Sequence, residues 1–286
     1  MWIYICIILI LILAFVVAVI YHDTHTFVVR NYEVSSDRVD RDYTFVLLSD
    51  LHGYEFGKDN VKLYEAVDEI SPDAILVAGD MFTATKIKGE IQYKPGFELL
   101  SALSSKYKIY YGNGNHEHKM KAFTKEYGNF YDRYRNKLSQ KGIVFLENDS
   151  VVIENNIRIT GLDLGLEYFK KITKKSMDKG YINRLVGDSN RDKFNVLIAH
   201  NPQYFNEYTE WGANLTVAGH VHGGIVRLPL IGGVISPAIA LFPRFDGGKF
   251  EKEGNTMILS RGLGTHTIHV RFYNPGEVCV IRIRKA

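Results

Sequence analysis

"TFVLLSDLH", residues 44–52, drives an unbroken apolar run into an acid and a histidine. A half-exposed strand alternates apolar and polar residues, so a continuous β-branched and aliphatic run reads as a strand buried on both faces. The run stops at Asp50 and His52, and the arrangement recurs along the chain. "AILVAGD" (74–80) ends at Asp80, and "KIYYGNGNHE" (108–117) reaches Asn115 and His116. "NVLIAH" (195–200) ends at His200, and "NLTVAGHVH" (214–222) ends at His220 and His222. Each strand thus stops at a potential metal ligand, usually beside a glycine.

Helical patterns separate these strands. Leu63, Val67 and Ile70 repeat in "NVKLYEAVDEI", and Phe97, Leu100 and Leu103 in "FELLSAL". In "NFYDRYRNKL", Phe130, Tyr134 and Leu138 share one face at i, i+4 spacing. "NPQYFNEY" supplies an Asn201 cap and Pro202 at the first helical position. Further strands are expected at "IRIT", "NTMILS" and "EVCVIRIR". The sum is an α/β sandwich with buried sheets and helices outside, in which loops at one end of the strands carry the site.

The chain has 286 residues, and Trp2 to Tyr21 is apolar or aromatic throughout. About 20 apolar residues suffice to cross a bilayer as a helix. No Lys or Arg precedes the stretch, and "VAVIYHD" is a poor cleavage site, which favours a retained anchor over a removed signal peptide. The expected organisation is therefore a transmembrane anchor at 1–21, a linker with an edge strand at 22–43, and a catalytic domain at 44–286. Arg30, Arg38 and Arg41 tilt the C-terminal side toward the cytoplasm, on a thin bias that leaves the side of the membrane open. A net charge of +3 gives no footprint for nucleic acid as a specific partner. Two cysteines, Cys6 and Cys279, exclude a disulfide framework.

Any of these polar residues alone reads as a core histidine or a turn acid. Together, strand ends far apart in sequence carry the same ligand type, which points to a metal site. "SDLH", "AGD", "GNHE", the isolated "AH" and "GHVHGG" resemble, in order, the signature of the calcineurin-like metallophosphoesterases, over roughly residues 44–286. That resemblance implies a double β-sandwich flanked by helices with a dinuclear metal site at the strand ends. It implies that Asp50, His52 and His222 hold one metal, that Asn115, His200 and His220 hold the other, and that Asp80 bridges them. His116 resembles the family's proton donor or phosphate-contacting residue, with Glu117 either orienting it or standing as a solvated acid. Carboxylate, amide and imidazole donors suit two divalent ions: Mn²⁺ first, with Fe or Zn²⁺ as alternatives. Two such ions can clamp the attacking and leaving oxygens at phosphorus and supply hydroxide near neutral pH.

The segments after "GHVHGG" resemble the membrane-associated bacterial branch, which includes envelope phosphodiesterases and relatives that hydrolyse UDP-2,3-diacylglucosamine. A phosphoester substrate is expected, amphiphilic if the apolar run Ile225–Phe242 forms a rim rather than a buried hairpin. Arg227, Arg261 and Arg271 are candidates for phosphate contact, against surface ion pairing. His266 and His269 depart from that branch, where small or apolar residues are usual; His266 offers a further metal contact. The lysines between 170 and 179 read as a solvated face or as a basic face toward anionic lipid. Asp163 reads as a turn residue. Two other functions compete: a phosphomonoesterase, although "GDMFTAT" lacks the Asp-Arg-Gly of the protein-phosphatase branch, and a non-catalytic membrane scaffold retaining the fold. The sequence leaves oligomeric state open.

Overall fold

A computed structural model describes residues 1–87, 90–170, 174–235, 241–265 and 269–286. Helix α1 (Trp2–His25) leads into β1 (Phe27–Ser36) and β2 (Tyr43–Leu48). An alternating run follows: α2 (Val61–Ile70), β3 (Ala74–Val77), α3 (Lys94–Leu103), β4 (Lys108–Tyr111), α4 (Asn115–Ala122), α5 (Phe130–Ser139) and β5 (Val144–Phe145). The second half continues with β6 (Asp149–Ile153), β7 (Ile157–Leu162), α6 (Tyr181–Val186), β8 (Phe194–Ala199), α7 (Phe205–Trp211) and β9 (Leu215–Ala218). A small hairpin, β10 (Val226–Leu228) and β11 (Gly232–Ile235), precedes β12 (Gly248–Lys252), β13 (Asn255–Leu259) and β14 (Gly276–Lys285).

Two six-stranded sheets result, in the orders β1-β14-β2-β3-β4-β5 and β12-β13-β9-β8-β7-β6. The period of two along each strand explains why both faces need apolar residues. In β2, Phe45 and Leu47 enter the core between the sheets, while Val46 and Leu48 enter the layer shared with Leu63, Val67, Leu99 and Leu100 of α2 and α3. In β8, Val196 and Ile198 face the other sheet, while Leu197 and Ala199 pack with Tyr208 and Trp211 of α7. The molecule is the expected double β-sandwich flanked by helices. Parallel pairing of β2 with β3 and of β8 with β9 brings the C-terminal ends of these strands to one edge.

The helical faces differ in detail from the sequence reading. In α5, Tyr131, Tyr134 and Leu138 are buried, and Phe130 is only partly so. Helix α1 runs four residues past Tyr21, to His25. The stretch 22–43 contributes a ten-residue strand, β1, paired in parallel with β14 from Phe27↔Gly276 to Ser36↔Lys285. Among the described residues α1 alone is long and apolar enough to cross a membrane.

Candidate metal centre

The ligand-bearing loops extend the strand pairing past the strand ends. The Asp50 amide donates to Gly79 O at 3.0 Å, and the His52 amide to Asp80 O at 3.0 Å. Asp50, His52, Asp80, His220 and His222 all hold positive φ, between 51° and 75°. L-residues seldom adopt this region, and each such residue costs on the order of 1–3 kcal/mol unless its surroundings impose it. Here the strain turns successive side chains inward instead of to alternate faces, which explains two ligands only one residue apart. Glycine makes the approach possible. A Cβ on Gly219 would stand 2.2 Å from Asp50 Oδ2, and one on Gly114 would stand 2.2 Å from Asp80 Oδ1.

The structure brings Asp50, His52, His222, Asp80, His200 and His220 together with His116 in overlapping groups, each with its ligand atoms within 4.8 Å of one another. Asp80 belongs to two of them. Its Oδ2 lies 3.1 Å from His200 Nε2 and 3.9 Å from His52 Nε2. His222 Nε2 lies 3.4 Å from Asp50 Oδ1. Asn115 begins α4 just past β4, beside Gly114 at the helix N-cap.

Several observations fit this set to cations. The carbonyls of Ala78 and Gly264 can only accept, so His200 Nδ1 (2.5 Å) and His222 Nδ1 (3.3 Å) carry a proton and leave Nε2 aimed at the carboxylates. His52 Nδ1 lies 3.0 Å from Thr83 Oγ1. The Nε2 atoms of His52 and His222 stand 3.1 Å apart, a separation that calls for a proton or cation between them. Asn115 Oδ1 is buried with no hydrogen-bond partner, an orphan that metal ligation would satisfy.

Electrostatics agree. Burial pushes the Asp50 carboxyl up to about 6. At Asp80 burial acts the same way, but positive charge on His200 outweighs it and holds the carboxyl well below the usual range. Burial alone would lower His200, yet the Asp80 and Asp50 carboxylates raise it to about 10. A pair of buried carboxylates that draws a proton onto His200 is short of positive charge, which divalent ions supply.

His116 sits at the start of α4, with Nε2 3.9 Å from Asp80 Oδ2. Its Nδ1 accepts the Ala84 amide at 2.8 Å, so its proton resides on Nε2, toward the site. Burial lowers its pKa. Glu117, expected to orient His116 or to be solvated, does neither. It is fully buried and accepts from the amides of Asp80 (2.8 Å), Met81 (3.0 Å) and Gly114 (3.0 Å) and from the Tyr111 hydroxyl (2.6 Å). It therefore fixes the strained loop that presents Asp80.

The three arginines expected at phosphate also make bonds within the protein. Arg271 is buried and donates to the carbonyls of Asn274, Arg261, Gly262 and Gly264. Its reach is spent on the loop behind His222. Arg227 donates to the carbonyls of Gly223 and Asp246 and pairs with the Asp246 carboxylate at 3.1 Å. Arg261 pairs with buried Glu277 at 3.5 Å. His266 lies outside the described residues, and His269 Nδ1 lies 2.8 Å from Thr265 Oγ1. In the lysine segment, Lys174 donates to Gln203 O and Lys175 pairs with Glu167.

Other residues at the site were not singled out by sequence. Phe169 places its ring 5.1 Å from that of His220 and 6.0 Å from that of His200. Asn274, fully buried, donates to the carbonyls of His222 (2.8 Å) and Gly224 (2.7 Å). Only its place in an Asn-Pro turn hinted at it. Asp163 is more than a turn residue: it receives Asn113 Nδ2 at 3.3 Å and pairs with His118 (2.8 Å) and Lys121 (3.1 Å) beside α4.

Comparison with known proteins adds to this geometry. The sequence profile described as calcineurin-like phosphoesterase matches residues 43–224. The chain is 26% identical to the "Uncharacterized metallophosphoesterase YkuE" of Bacillus subtilis, over 85% of this chain and 79% of that one. It is 22% identical to the "UDP-2,3-diacylglucosamine pyrophosphatase LpxG" of Chlamydia muridarum, over 83% and 82% of the two chains. A metallophosphoesterase of Aquifex aeolicus is 24% identical over 92% of this chain and 94% of its own.

Proposed function

The chain belongs to the calcineurin-like phosphoesterase family, a metal-dependent hydrolase by that membership, and on this premise we propose that it cleaves a phosphodiester or pyrophosphate bond in an amphiphilic substrate at a two-metal site. The observation that carries the reading is Asp80, whose carboxylate groups with His200 and His220 on one side and with His52 and His116 on the other, His52 in turn grouping with Asp50 and His222. Asp50, His52 and His222 would complete one site, and Asn115, His200 and His220 the other. The mixed carboxylate, amide and imidazole set suits Mn²⁺, Fe or Zn²⁺, and Mn²⁺ is the ion we put first. When bound, such a pair supplies charge to both the attacking and the leaving oxygen and acidifies the attacking water.

The chain's own residues do the rest. The Ala78 and Gly264 carbonyls hold the rings of His200 and His222 in one orientation. Glu117 fixes the main chain on both sides of Asp80 through the Asp80 and Met81 amides. His116, with its proton on Nε2, donates to a phosphoryl or leaving-group oxygen entering beside Asp80. Phe169 covers the His200–His220 side and limits water there.

Two observations favour an amphiphilic substrate. LpxG is named for a substrate with two acyl chains, and α1 is exposed along its apolar length. We read α1 as a single-pass anchor on that basis. A phosphomonoesterase is the alternative, and a scaffold without activity a weaker one, since the sequence carries an Asp, Asn or His at every expected donor position.

The test uses the full chain in nanodiscs with Mn²⁺, comparing bis-p-nitrophenyl phosphate with p-nitrophenyl phosphate. Faster turnover of the diester is expected. Preference for the monoester overturns the bond assignment, and no turnover with any divalent metal favours the scaffold.

A further inference from the structure

The hairpin β10–β11 follows directly on the His220–His222 loop and exposes an unusual set of residues. Leu228, Leu230 and Ile231 at its tip are exposed, as are Leu241 and Phe242 beyond it and Tyr273 on the adjoining segment. These belong to one ribbon. Arg227 N donates to Phe272 O at 3.0 Å, and Phe272 N to Ile225 O at 3.2 Å. On the other side, Phe242 N donates to Val234 O at 2.9 Å, and Ile235 bridges Leu241. Large apolar side chains on adjacent strands of one small ribbon form a patch, not scattered exceptions.

Backbone conformation sharpens the point. Leu230, Phe242 and Tyr273 hold φ of 66°, 47° and 51°. Glycine or asparagine would relieve that strain, and a polar residue would relieve the exposure. Bulky apolar residues at these positions carry both penalties in water and neither compensation.

The ribbon is tied to the end of α1. Buried Asp23 accepts the Asn274 amide at 2.8 Å, and the Gly276 amide donates to Thr26 O at 3.1 Å. Tyr273 is thus the chain neighbour of a residue bonded to the last turn of the helix. Asn274 also holds the carbonyls of His222 and Gly224, where the hairpin departs. The base of the ribbon is thus fixed beside the end of the helix. Tyr21 is exposed on the last turns of the helix, and Arg244 lies 5.0 Å over the Phe245 ring beside the patch. Aromatic rings and arginine stems at that level suit the headgroup region.

We infer that the β10–β11 ribbon is a second membrane contact, with Leu230, Ile231, Leu241 and Phe242 set into the leaflet from which α1 emerges. The occupant of the patch is lipid. The inference rests on reading α1 as an anchor and is independent of the bond that is cleaved. It also sets the metal site near the lipid surface, since β10 begins four residues after His222.

The experiment places a fluorophore on Ile231→Cys and on Phe242→Cys, each in the full chain carrying Cys6→Ser, reconstituted in phosphatidylcholine–phosphatidylglycerol vesicles. Cys279 is buried and stays unlabelled. These positions are exposed, so the fold is unaffected. Ile10→Cys on α1 and Val152→Cys on β6, an edge strand unconnected to the ribbon, serve as references. A lipid-borne nitroxide, about 5–10 Å below the headgroups, is expected to quench both ribbon labels several-fold more than Val152→Cys, with iodide ranking them in reverse. Ribbon labels that match Val152→Cys while Ile10→Cys remains lipid-quenched overturn the ribbon contact and keep the anchor. A water-exposed Ile10→Cys removes the anchor and the inference with it. Protection from both quenchers that scales with protein-to-lipid ratio overturns the lipid assignment in favour of a second copy of the chain.

Discussion

At His116 one hydrogen bond decides the chemistry that the ring can offer. Because Nδ1 accepts the Ala84 amide, only Nε2 presents a proton to substrate. His116→Ala is expected to keep both metals and lose about 10²–10⁴-fold in kcat, measured on the diester beside metal analysis. Unchanged turnover would remove the role. Asp80→Asn is expected to lose metal, and full occupancy in that variant would break the bridge. The clustering of these acids and histidines was legible because each follows an apolar run. Glu117 was misread because its partners are main-chain amides, to which sequence gives no pointer. The internal partners of the three arginines were not legible for a related reason: guanidinium suits phosphate, but it equally suits main-chain carbonyls and buried carboxylates, as at Arg271 and Arg261.

Elements hold the site at two places that can be perturbed separately. On the inner face of β2, Phe45 is fully buried between the sheets, and Phe45→Ala is expected to cost about 3–5 kcal/mol in chemical denaturation. Beside α4, burial alone would raise Asp163, but the His118 hydrogen bond and the charges of His118 and Lys121 hold its carboxyl below the ordinary 3.8. A depressed carboxyl stabilises the fold above its unfolded pKa, and that contribution is lost as pH falls through the lower folded value. Unfolding free energy is therefore expected to fall with acidification below pH ~4, and Asp163→Asn to be less stable at neutral pH with a flatter acid limb. An equally steep limb in the variant would locate the titration elsewhere. The alternation of strand and helix was legible from hydrophobic period. Strand β1 was not legible in full, because Arg30 interrupts the inward face of Val28, Tyr32 and Val34 while Val29 is exposed on the other, so no clean apolar alternation marks it.

Over the whole molecule, two sheets, a helix and a ribbon converge on one set of donors. Removing bound metal with a chelator is expected to lower Tm and abolish turnover, both restored by Mn²⁺. Saturation at about 100 times Kd stabilises a fold by about 2.7 kcal/mol, enough to read by calorimetry. The order of the ligand blocks made the architecture legible from the sequence. What covers the site was not, because an apolar run such as Ile225–Phe242 has the same composition whether buried or exposed. The account stands on Asp80 as the common ligand of two cations. Anomalous diffraction from crystals of the full chain grown with Mn²⁺ tests this directly. Two peaks about 3.5–4 Å apart, flanking the Asp80 carboxylate, are expected; a single peak, or two that do not share Asp80, would contradict it.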